Sequence, residues 1–480
     1  MSGKRTVMSV RQSFRKKMRS PSLRDVVPRY SAADKIPDTP VPVPHHRRVI
    51  LDNGLTVLLL EREQLPLWEA RLMLPTGALH DPAAAGGLLN FAGTLLRDGT
   101  QLNGKTLSKT EIAEAVERRG GSLNVQVLRS NTQISAGGLS KHSDVLFELL
   151  AAIVLHPTFP EVVVERERQL IIAGIAAKKD LPDRLAHETL MKRLYAGHPY
   201  AVPVEGTVDN VMKMTRNDIV ERWRRTASPP GAVLAVMGDF KEDAALHRIE
   251  RLFGAWHGDA VEQAIPEPAT LTGGVEIALV NKPAAVQSNI ALGHYGVPRR
   301  HPDYYSLLVL EQVLFSGMAS CFFRVIRAER GLTYNISGDF GMGKFAGPLV
   351  IETSTSLPRT GEMLAAVFEI IAHFQETGPT ARELHDAKSF LAGSYPLRFE
   401  TVQGAANELL RLELVGLPPE AISEYRRRII AVTRNDVHRA ACAHIRPSEF
   451  RIAVLSDVGQ VETLLPALNV PHRIHRPAIE

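Results

Sequence analysis

The chain has 480 residues, of which 44% are hydrophobic and 23% are charged, and its formal net charge is +5. This length exceeds what one compact core usually serves, so two or more domains are predicted. No apolar run approaches the ~20 residues that a membrane-spanning helix needs, and two cysteines cannot form a disulfide framework. We expect Cys321 and Cys442 to be buried small hydrophobic residues.

The N-terminal segment is strongly basic, since residues 1–30 carry nine lysines and arginines against Asp25 alone. The basic residues are Lys4, Arg5, Arg11, Arg15, Lys16, Lys17, Arg19, Arg24 and Arg29. Together with the proline-rich stretch that follows, this predicts a disordered extension over residues 1–46. No apolar region follows the charges, so a cytoplasmic location is expected. An organelle transit peptide is the alternative.

The body of the chain then reads as a series of strands and helices. "EARLMLPTGALHDPAAAGGLLNFAGTLL" (69–96) predicts a strand, a loop and a helix. "TEIAEAVERRGGSLNVQVLRSNTQISAGGL" (110–139) predicts a helix, a glycine stop and two alternating strands. Two helices follow, and the buried strand "GAVLAVMGDF" (231–240) closes this half.

The second half repeats the same order of elements. "SNIALGHYGVPRRHPDYYSLLVLEQVLF" (288–315) matches the first strand–loop–helix unit, and "FRIAVLSDV" (450–458) matches the closing strand. The offset is 218 between Leu72 and Ile290 and 219 between Ala232 and Arg451. We therefore predict an α+β fold made of two duplicated domains, residues 47–262 and 263–470, with a tail at 471–480. Each domain should have a mainly antiparallel sheet with helices packed on one face.

This duplicated order resembles the pitrilysin (insulinase) family of zinc peptidases, whose two halves form one half of a clamshell. "LDNGLTVLLLE" (51–61) is similar to the family's opening hairpin, and the likeness extends over roughly residues 48–465. In active members, the helix that corresponds to "GGLLNFAGTLL" (86–96) carries His-x-x-Glu-His, in which two histidines bind zinc and the glutamate is the general base.

The resemblance also shows which metal positions this chain has lost. Asn90 and Thr94 replace the two histidines, and Gly93 replaces the glutamate. Ala173 and Gly174 replace an acidic pair on a later helix. We therefore expect no metal and no other cofactor in this chain, with zinc held instead by a partner subunit.

The remaining histidines and cysteines are not predicted to bind metal either. None of the 17 histidines forms His-x-x-Glu-His or its inverted form. His472 and His475 lie in the C-terminal tail without a nearby acidic ligand. Cys442 and His444 are expected to be a core and a surface residue, respectively.

The motif that survives is in the second half. "RVIRAERGLTYNISG" (324–338) resembles the segment in which the family places an arginine and a tyrosine seven residues apart, facing the substrate carbonyl across the clamshell. Arg327 and Tyr334 match that spacing, and the resemblance implies that they are catalytic. Read from the residues alone, Arg327 is more simply one cation on an exposed helix face beside Arg324 and Arg330, and Tyr334 an ordinary strand aromatic.

The resulting hypothesis is a catalytically incomplete subunit of a heterodimeric zinc metallopeptidase. It would pair with a homologous zinc-bearing subunit and enclose an unfolded peptide, with "GSLNVQVLR" (121–129) at the position of the family's substrate-binding edge. The rival hypothesis is a non-catalytic structural or peptide-binding scaffold of the same fold. Nucleic-acid binding through the basic N-terminal segment is a third, less favoured alternative, because the body shows no basic and aromatic pattern.

Overall fold

The computed structural model describes residues 35–260 and 265–477. Most of the extension that the sequence predicts to be disordered, residues 1–34, lies outside these ranges. Within them, no helix combines the length and the apolar character that crossing a membrane requires.

The described part of the N-terminal extension, residues 35–46, lies against the second half of the chain. Val41 is buried in the core of that half. The guanidinium of Arg426 donates a hydrogen bond to the carbonyl of Thr39 at 2.9 Å. This proline-rich stretch is therefore anchored, although its composition is that of a linker.

The first half is built on a six-stranded sheet and a small hairpin. The strands are β1 (Arg47–Ile50), β2 (Thr56–Glu61), β3 (Leu67–Leu74), the hairpin β4 (Gly99–Leu102) and β5 (Lys105–Ser108), β6 (Ser122–Val127), β7 (Thr132–Leu139) and β8 (Val233–Gly238). The sheet order is β1-β2-β8-β3-β7-β6. The β2–β8 pair is parallel and the other neighbouring pairs are antiparallel.

Helices of the first half cover one face of this sheet and also extend beyond it. They are α1 (Leu88–Leu95), α2 (Lys109–Glu117), α3 (Ser143–Leu155), α4 (Glu161–Ala177), α5 (Pro182–Leu194), α6 (Val208–Lys213), α7 (Arg216–Thr226) and α8 (Glu242–Phe253). Glycines and capping boxes set several of these ends. For example, the Ser108 hydroxyl and the Glu111 carboxylate each accept from the other's backbone N–H at the start of α2.

The second half has its own six-stranded sheet. Its strands are β9 (Val275–Asn281), β10 (Gln287–Tyr295), β11 (Ile336–Met342), β12 (Ala346–Ser356), β13 (Arg451–Ser456) and β14 (His472–His475), in the order β11-β12-β10-β13-β9-β14. Its helices are α9 (Tyr304–Leu314), a π-helical segment (Phe323–Glu329), α10 (Thr360–Thr377), α11 (Ala381–Ser394), α12 (Val402–Val415), α13 (Ala421–Ala431), α14 (Arg434–His444) and α15 (Val458–Val461).

The two sheets confirm the α+β duplication. β3 lies between β7 and β8 in the first sheet, and β10 lies between β12 and β13 in the second. Leu72 of β3 pairs with Leu234, and Ile290 of β10 pairs with Val454. The residues aligned from the sequence therefore occupy the same place in the two halves.

Each half also lends one helix to the other, which the sequence did not predict. Helix α5 packs on the face of the second sheet opposite that half's own helices, which we call the inner face. There, Ala186 and Leu190 form a buried cluster with Ala291, Ala453 and Leu455. The central strands are therefore buried on both faces, and the halves share a continuous packed interior.

Helix α12 makes the reciprocal contact, packing against β8 of the first sheet. Leu58 and Ala235 of that sheet consequently belong to the core cluster of the second half. At its end, α12 is tied to β1 by an ion pair between Arg48 and Glu413 at 2.7 Å.

The side chains of strand β12 alternate between the two faces of the second sheet. Leu349 and Ile351 point into the core of the second half. Glu352 and Ser354 are half-buried on the inner face, where Glu352 is bonded to His187 of α5. This part of the inner face is therefore polar, as expected for a wall that faces water or a bound molecule.

Candidate functional site

The helix that carries the metal in active relatives is held firmly at its start. Asp81 accepts hydrogen bonds from the backbone N–H groups of Gly87 and Leu89 and forms an ion pair with Arg222 at 2.9 Å. Burial raises the pKa of Asp81, and the Arg222 charge opposes this shift. The Asp81 carboxylate thus accepts from backbone N–H groups that would otherwise lack a partner at the N-terminus of α1. This role is structural.

One of the former metal positions on α1, Gly93, has no free space for a larger side chain. A Cβ added at Gly93 would lie 2.6 Å from the Cγ2 atom of Val127 on β6. Thr94 is exposed, and its hydroxyl donates to the Phe91 carbonyl at 2.8 Å. Asn90 is half-buried. A glutamate at position 93 would therefore require the Val127 side chain to shift.

The second lost pair lies on α4, which packs against α1. Ala173 and Gly174 are exposed, and a Cβ at Gly174 would meet no atom within 4 Å. The potential ligands at the α1 positions are an amide and a hydroxyl, and Ala173 and Gly174 on α4 offer none, so the residues present do not fit zinc.

Elsewhere among the described residues, His301, Asp303 and His444 bring potential ligand atoms within 4.8 Å of one another. Asp303 is already occupied, because Arg439 donates to both of its carboxylate oxygens, at 2.7 and 3.1 Å. This contact lowers the pKa of Asp303 to about 2. The His301 Nδ1 atom accepts from the Asp303 backbone N–H. The cluster therefore joins the start of α9 to α14 and is poorly suited to a cation.

Three expectations need correction, for Cys442, for His444 and for the C-terminal tail. Cys321 is buried as expected, and burial raises its pKa to about 12, but Cys442 is exposed. His444, expected on the surface, is half-buried against Asp303. The error at positions 442 and 444 arose because the buried face of the helix was inferred from a short stretch of sequence and was assigned to the wrong residues. His472–His475 is a strand that pairs in parallel with β9 rather than a free tail. The expectation of no nearby acidic group is also wrong, because the His475 Nε2 atom lies 3.6 Å from the Glu276 carboxylate.

In the second half, Arg327 and Tyr334 lie together. Arg327 belongs to the π-helical segment, in which the Arg330 N–H donates to the Val325 carbonyl at 3.0 Å. The Arg327 Cζ atom lies 4.6 Å from the centre of the Tyr334 ring and 4.5 Å from that of Phe323. Tyr334 is 82% exposed. The sequence identified the pair, but the aromatic contact with Phe323 was missed.

The charges around Arg327 distinguish it from its neighbours. Arg324 pairs with Glu383 at 3.2 Å, and Arg330 pairs with Glu369 at 2.8 Å. Among the residues that the structure describes, no carboxylate forms an ion pair with Arg327. This guanidinium is therefore not simply one of several paired cations on a helix face.

The loop between Arg327 and Tyr334 is fixed by hydrogen bonds from neighbouring elements. Arg359 donates to the carbonyls of Gly331 and Arg330, at 2.9 and 3.1 Å. The hydroxyl of Thr355 on β12 donates to the Leu332 carbonyl at 2.7 Å. The loop that carries the exposed Tyr334 is therefore held in place by these hydrogen bonds.

A cavity of about 690 Å³ lies at the seam between the two halves. It is bounded by the β6–β7 turn, α5 and the inner face of the second sheet, and its lining residues are Arg129, Asp183, Arg184, His187, Glu188, Val204, Glu205, Asn289, Ile290, Asn335, Ser337, Glu352, Thr353 and Ser354. His187 and Glu352 are bonded across the seam at 2.8 Å. Asn335 lines the cavity directly after Tyr334, whereas Arg327 and Tyr334 do not.

This cavity was not predicted, because its members are distant in the chain. His187 and Glu352 are 165 positions apart, and they meet only because α5 crosses to the other half. No local pattern in the sequence signals such a pair.

Two duplicated α+β halves, in which the residues at the metal positions do not fit zinc, define a peptidase-like class of protein. Comparison with known families agrees with this class. Residues 56–208 match the insulinase (peptidase family M16) model, and residues 213–391 match that of the peptidase M16 inactive domain. The chain belongs to the M16 peptidase family, which includes the pitrilysin-like proteins.

The chain matches relatives of similar sequence over almost the full length of those proteins. The chain is 24% identical to the uncharacterized zinc protease YmxG of Bacillus subtilis, over 86% of this chain and 99% of that protein. It is 26% identical to the non-peptidase homolog YmxG of Helicobacter pylori, over 84% and 95%.

Solved structures share the fold. A peptidase M16 inactive domain from Pseudomonas fluorescens superposes with a TM-score of 0.79 at 25% identity, covering 86% of this chain and 98% of that one. A protease from Helicobacter pylori gives a TM-score of 0.76 at 20% identity, covering 86% and 99%.

Proposed function

We propose that this chain is the non-zinc subunit of a heterodimeric M16 metallopeptidase and supplies Arg327 and Tyr334 in trans. The observation that carries the proposal is a guanidinium without a carboxylate partner among the described residues, whose Cζ atom lies 4.6 Å from the ring centre of Tyr334, a tyrosine that is 82% exposed. Both groups are hydrogen-bond donors that remain available to a bound molecule.

The chemistry of peptide hydrolysis explains why such donors would be kept. Attack on the peptide carbonyl develops negative charge on its oxygen, and donors that are already oriented stabilise that charge. Arginine is always charged, and its planar fork offers several N–H groups. Loss of one such donor typically costs about 3 kcal/mol in transition-state stabilisation. The metal and the general base would come from the homologous partner.

The peptide would be bound mainly through its backbone. β6 is an edge strand of the first sheet, and an extended peptide can pair with such an edge. Asn124 and Gln126 on this strand are exposed, so the adjoining wall is polar. This mode would favour unfolded peptides with loose sequence preference.

A non-catalytic scaffold of the same fold is the second candidate. It is favoured by the filled space at Gly93 and by the name of the Helicobacter pylori relative, a non-peptidase homolog. In this case the chain would hold a peptide or a partner without contributing to hydrolysis.

The two candidates are separated by an assay of the reconstituted pair. The chain is co-purified with a homologue that carries His-x-x-Glu-His, and turnover of an unfolded peptide is measured. We expect Arg327→Ala and Tyr334→Phe each to lower kcat by about 100-fold. Arg324→Ala is the matched control and should change kcat little, because it removes a half-exposed ion pair. Unchanged turnover in both test variants would support the scaffold.

A further inference from the structure

We propose that Phe323 is a positioning residue for Arg327. Its ring and that of Tyr334 hold the guanidinium in one orientation while leaving its N–H groups free. The effect on catalysis rests on the proposed function above, whereas the stacking itself can be measured in the isolated chain.

The geometry is that of a guanidinium in contact with two rings. The Arg327 Cζ atom lies 4.5 Å from the Phe323 ring centre and 4.6 Å from the Tyr334 ring centre. Both distances are within the range of cation–π attraction. An arginine side chain otherwise samples many rotamers, so contacts with two rings restrict where its charge lies.

Stacking has a consequence that an ion pair would not have. The neighbouring Arg324 and Arg330 are oriented by glutamates, which neutralise their charge and occupy their N–H groups. An aromatic ring contacts the face of the guanidinium, whereas the five N–H donors point outward in its plane. Phe323 can therefore orient Arg327 without using the donors that an oxyanion needs.

The backbone explains why Phe323 is available on this surface. Phe322 and Ile326 are fully buried and fix the segment against the second-half core. Phe323 and Arg327 are left half-buried. The segment is π-helical, a local geometry that is often found at functional sites.

The first test is spectroscopic and uses the isolated full chain. The Nε–H resonance of Arg327 is assigned in an arginine-labelled sample by its loss in Arg327→Lys. We expect a ring-current shift that is reduced in Phe323→Leu and retained in Phe323→Tyr. Phe390→Leu is the matched control, since that exposed phenylalanine lies outside the stack and should leave the resonance unchanged. An Arg327 resonance that is the same in Phe323→Leu and in the unmodified chain would overturn the proposal.

The second test uses the reconstituted pair. Phe323→Leu should lower kcat about 2- to 30-fold, the range of a cation–π contact, with little change in KM. Phe323→Tyr should restore the rate because it restores the ring. If Arg327→Ala inactivates the pair but Phe323→Leu has full kcat, the positioning role is wrong. If Arg327→Ala has no effect, the proposed function fails, and the resonance alone decides whether Phe323 holds the guanidinium.

Discussion

The three arginines between residues 324 and 330 have two kinds of surroundings, and the difference bears on function. Arg324 and Arg330 reach half-exposed or exposed glutamates, contacts that usually contribute at most about 1 kcal/mol to stability. Arg327 lies instead against aromatic rings. Its charge is uncompensated locally and can therefore interact with a negative charge that is brought to it.

Restoring the metal motif tests how completely the first half has changed. We expect Asn90→His, Gly93→Glu and Thr94→His together to destabilise the fold by about 1–3 kcal/mol, because the new side chain at 93 meets Val127. The measurement is the midpoint of thermal unfolding. Adding Val127→Ala should recover part of the loss.

Gly174→Glu is the control for this prediction, since a Cβ there has open space around it. It should leave the unfolding midpoint unchanged or slightly higher, as glycine is unfavourable inside a helix. A triple variant that unfolds like the original chain would contradict the argument from packing.

A buried histidine gives the fold a specific pH dependence. Burial lowers the pKa of His294 to about 4, and its Nε2 atom accepts from the Arg446 N–H at 3.0 Å. The unfolded chain takes up this proton near pH 6.5 and the folded chain near pH 4. Stability should therefore fall as pH drops from 6.5 to 4, by about 3 kcal/mol for this group.

Urea unfolding at several pH values measures this effect. His294→Gln should be less stable at pH 7 but should lose less stability between pH 6.5 and 4. A variant with the same pH slope as the original chain would assign the slope to other groups.

At the scale of elements, the exchanged helices α5 and α12 matter most. Each leaves its own half and covers part of the other half's inner face, so sheet packing depends on both. Their placement also positions the seam cavity, because residues of α5 line it together with polar positions on β12.

Leu190 is the residue through which this element can be tested. It is fully buried between α5 and the second sheet, so Leu190→Ala should lower the free energy of unfolding by about 2–5 kcal/mol. Leu170→Ala on α4 is the matched control, because Leu170 is 57% exposed. It should change stability by about 0.5 kcal/mol or less. Equal effects of the two substitutions in urea unfolding would show that α5 does not pack as described.

At the scale of the whole molecule, the exchange makes the two duplicated halves one structural unit. Without the other half, each sheet would lose the helix that packs on the face opposite its own helices. Leu58 and Ala235 of the first sheet, for instance, belong to the core cluster of the second half.

We therefore expect calorimetry of the intact chain to give a single unfolding transition. Residues 35–260 produced alone should aggregate or unfold, and co-expression with residues 265–477 should restore a soluble complex. Two independent transitions, or a stable isolated first half, would contradict this expectation.

Much of the fold was accessible from the sequence. The spacing between Leu72 and Ile290 predicted the duplication, and strand alternation predicted the sheets, because both are local or repeated signals. Parallel β14 and the buried Val41 segment were missed, since their partners are distant in the chain.

The candidate site likewise has features that the sequence predicted and features that only the structure shows. The sequence's resemblance to the family located Asn90, Gly93 and Thr94, whose identities cannot supply zinc ligands and a base, and the same resemblance selected Arg327 and Tyr334 as a candidate pair. Only the tertiary structure decided that Val127 fills the space at Gly93, that Phe323 stacks on Arg327, and that α5 crosses to the opposite sheet. The reason is physical: sequence fixes which groups a chain possesses and which face of each element is apolar, but packing between distant segments decides what each face contacts.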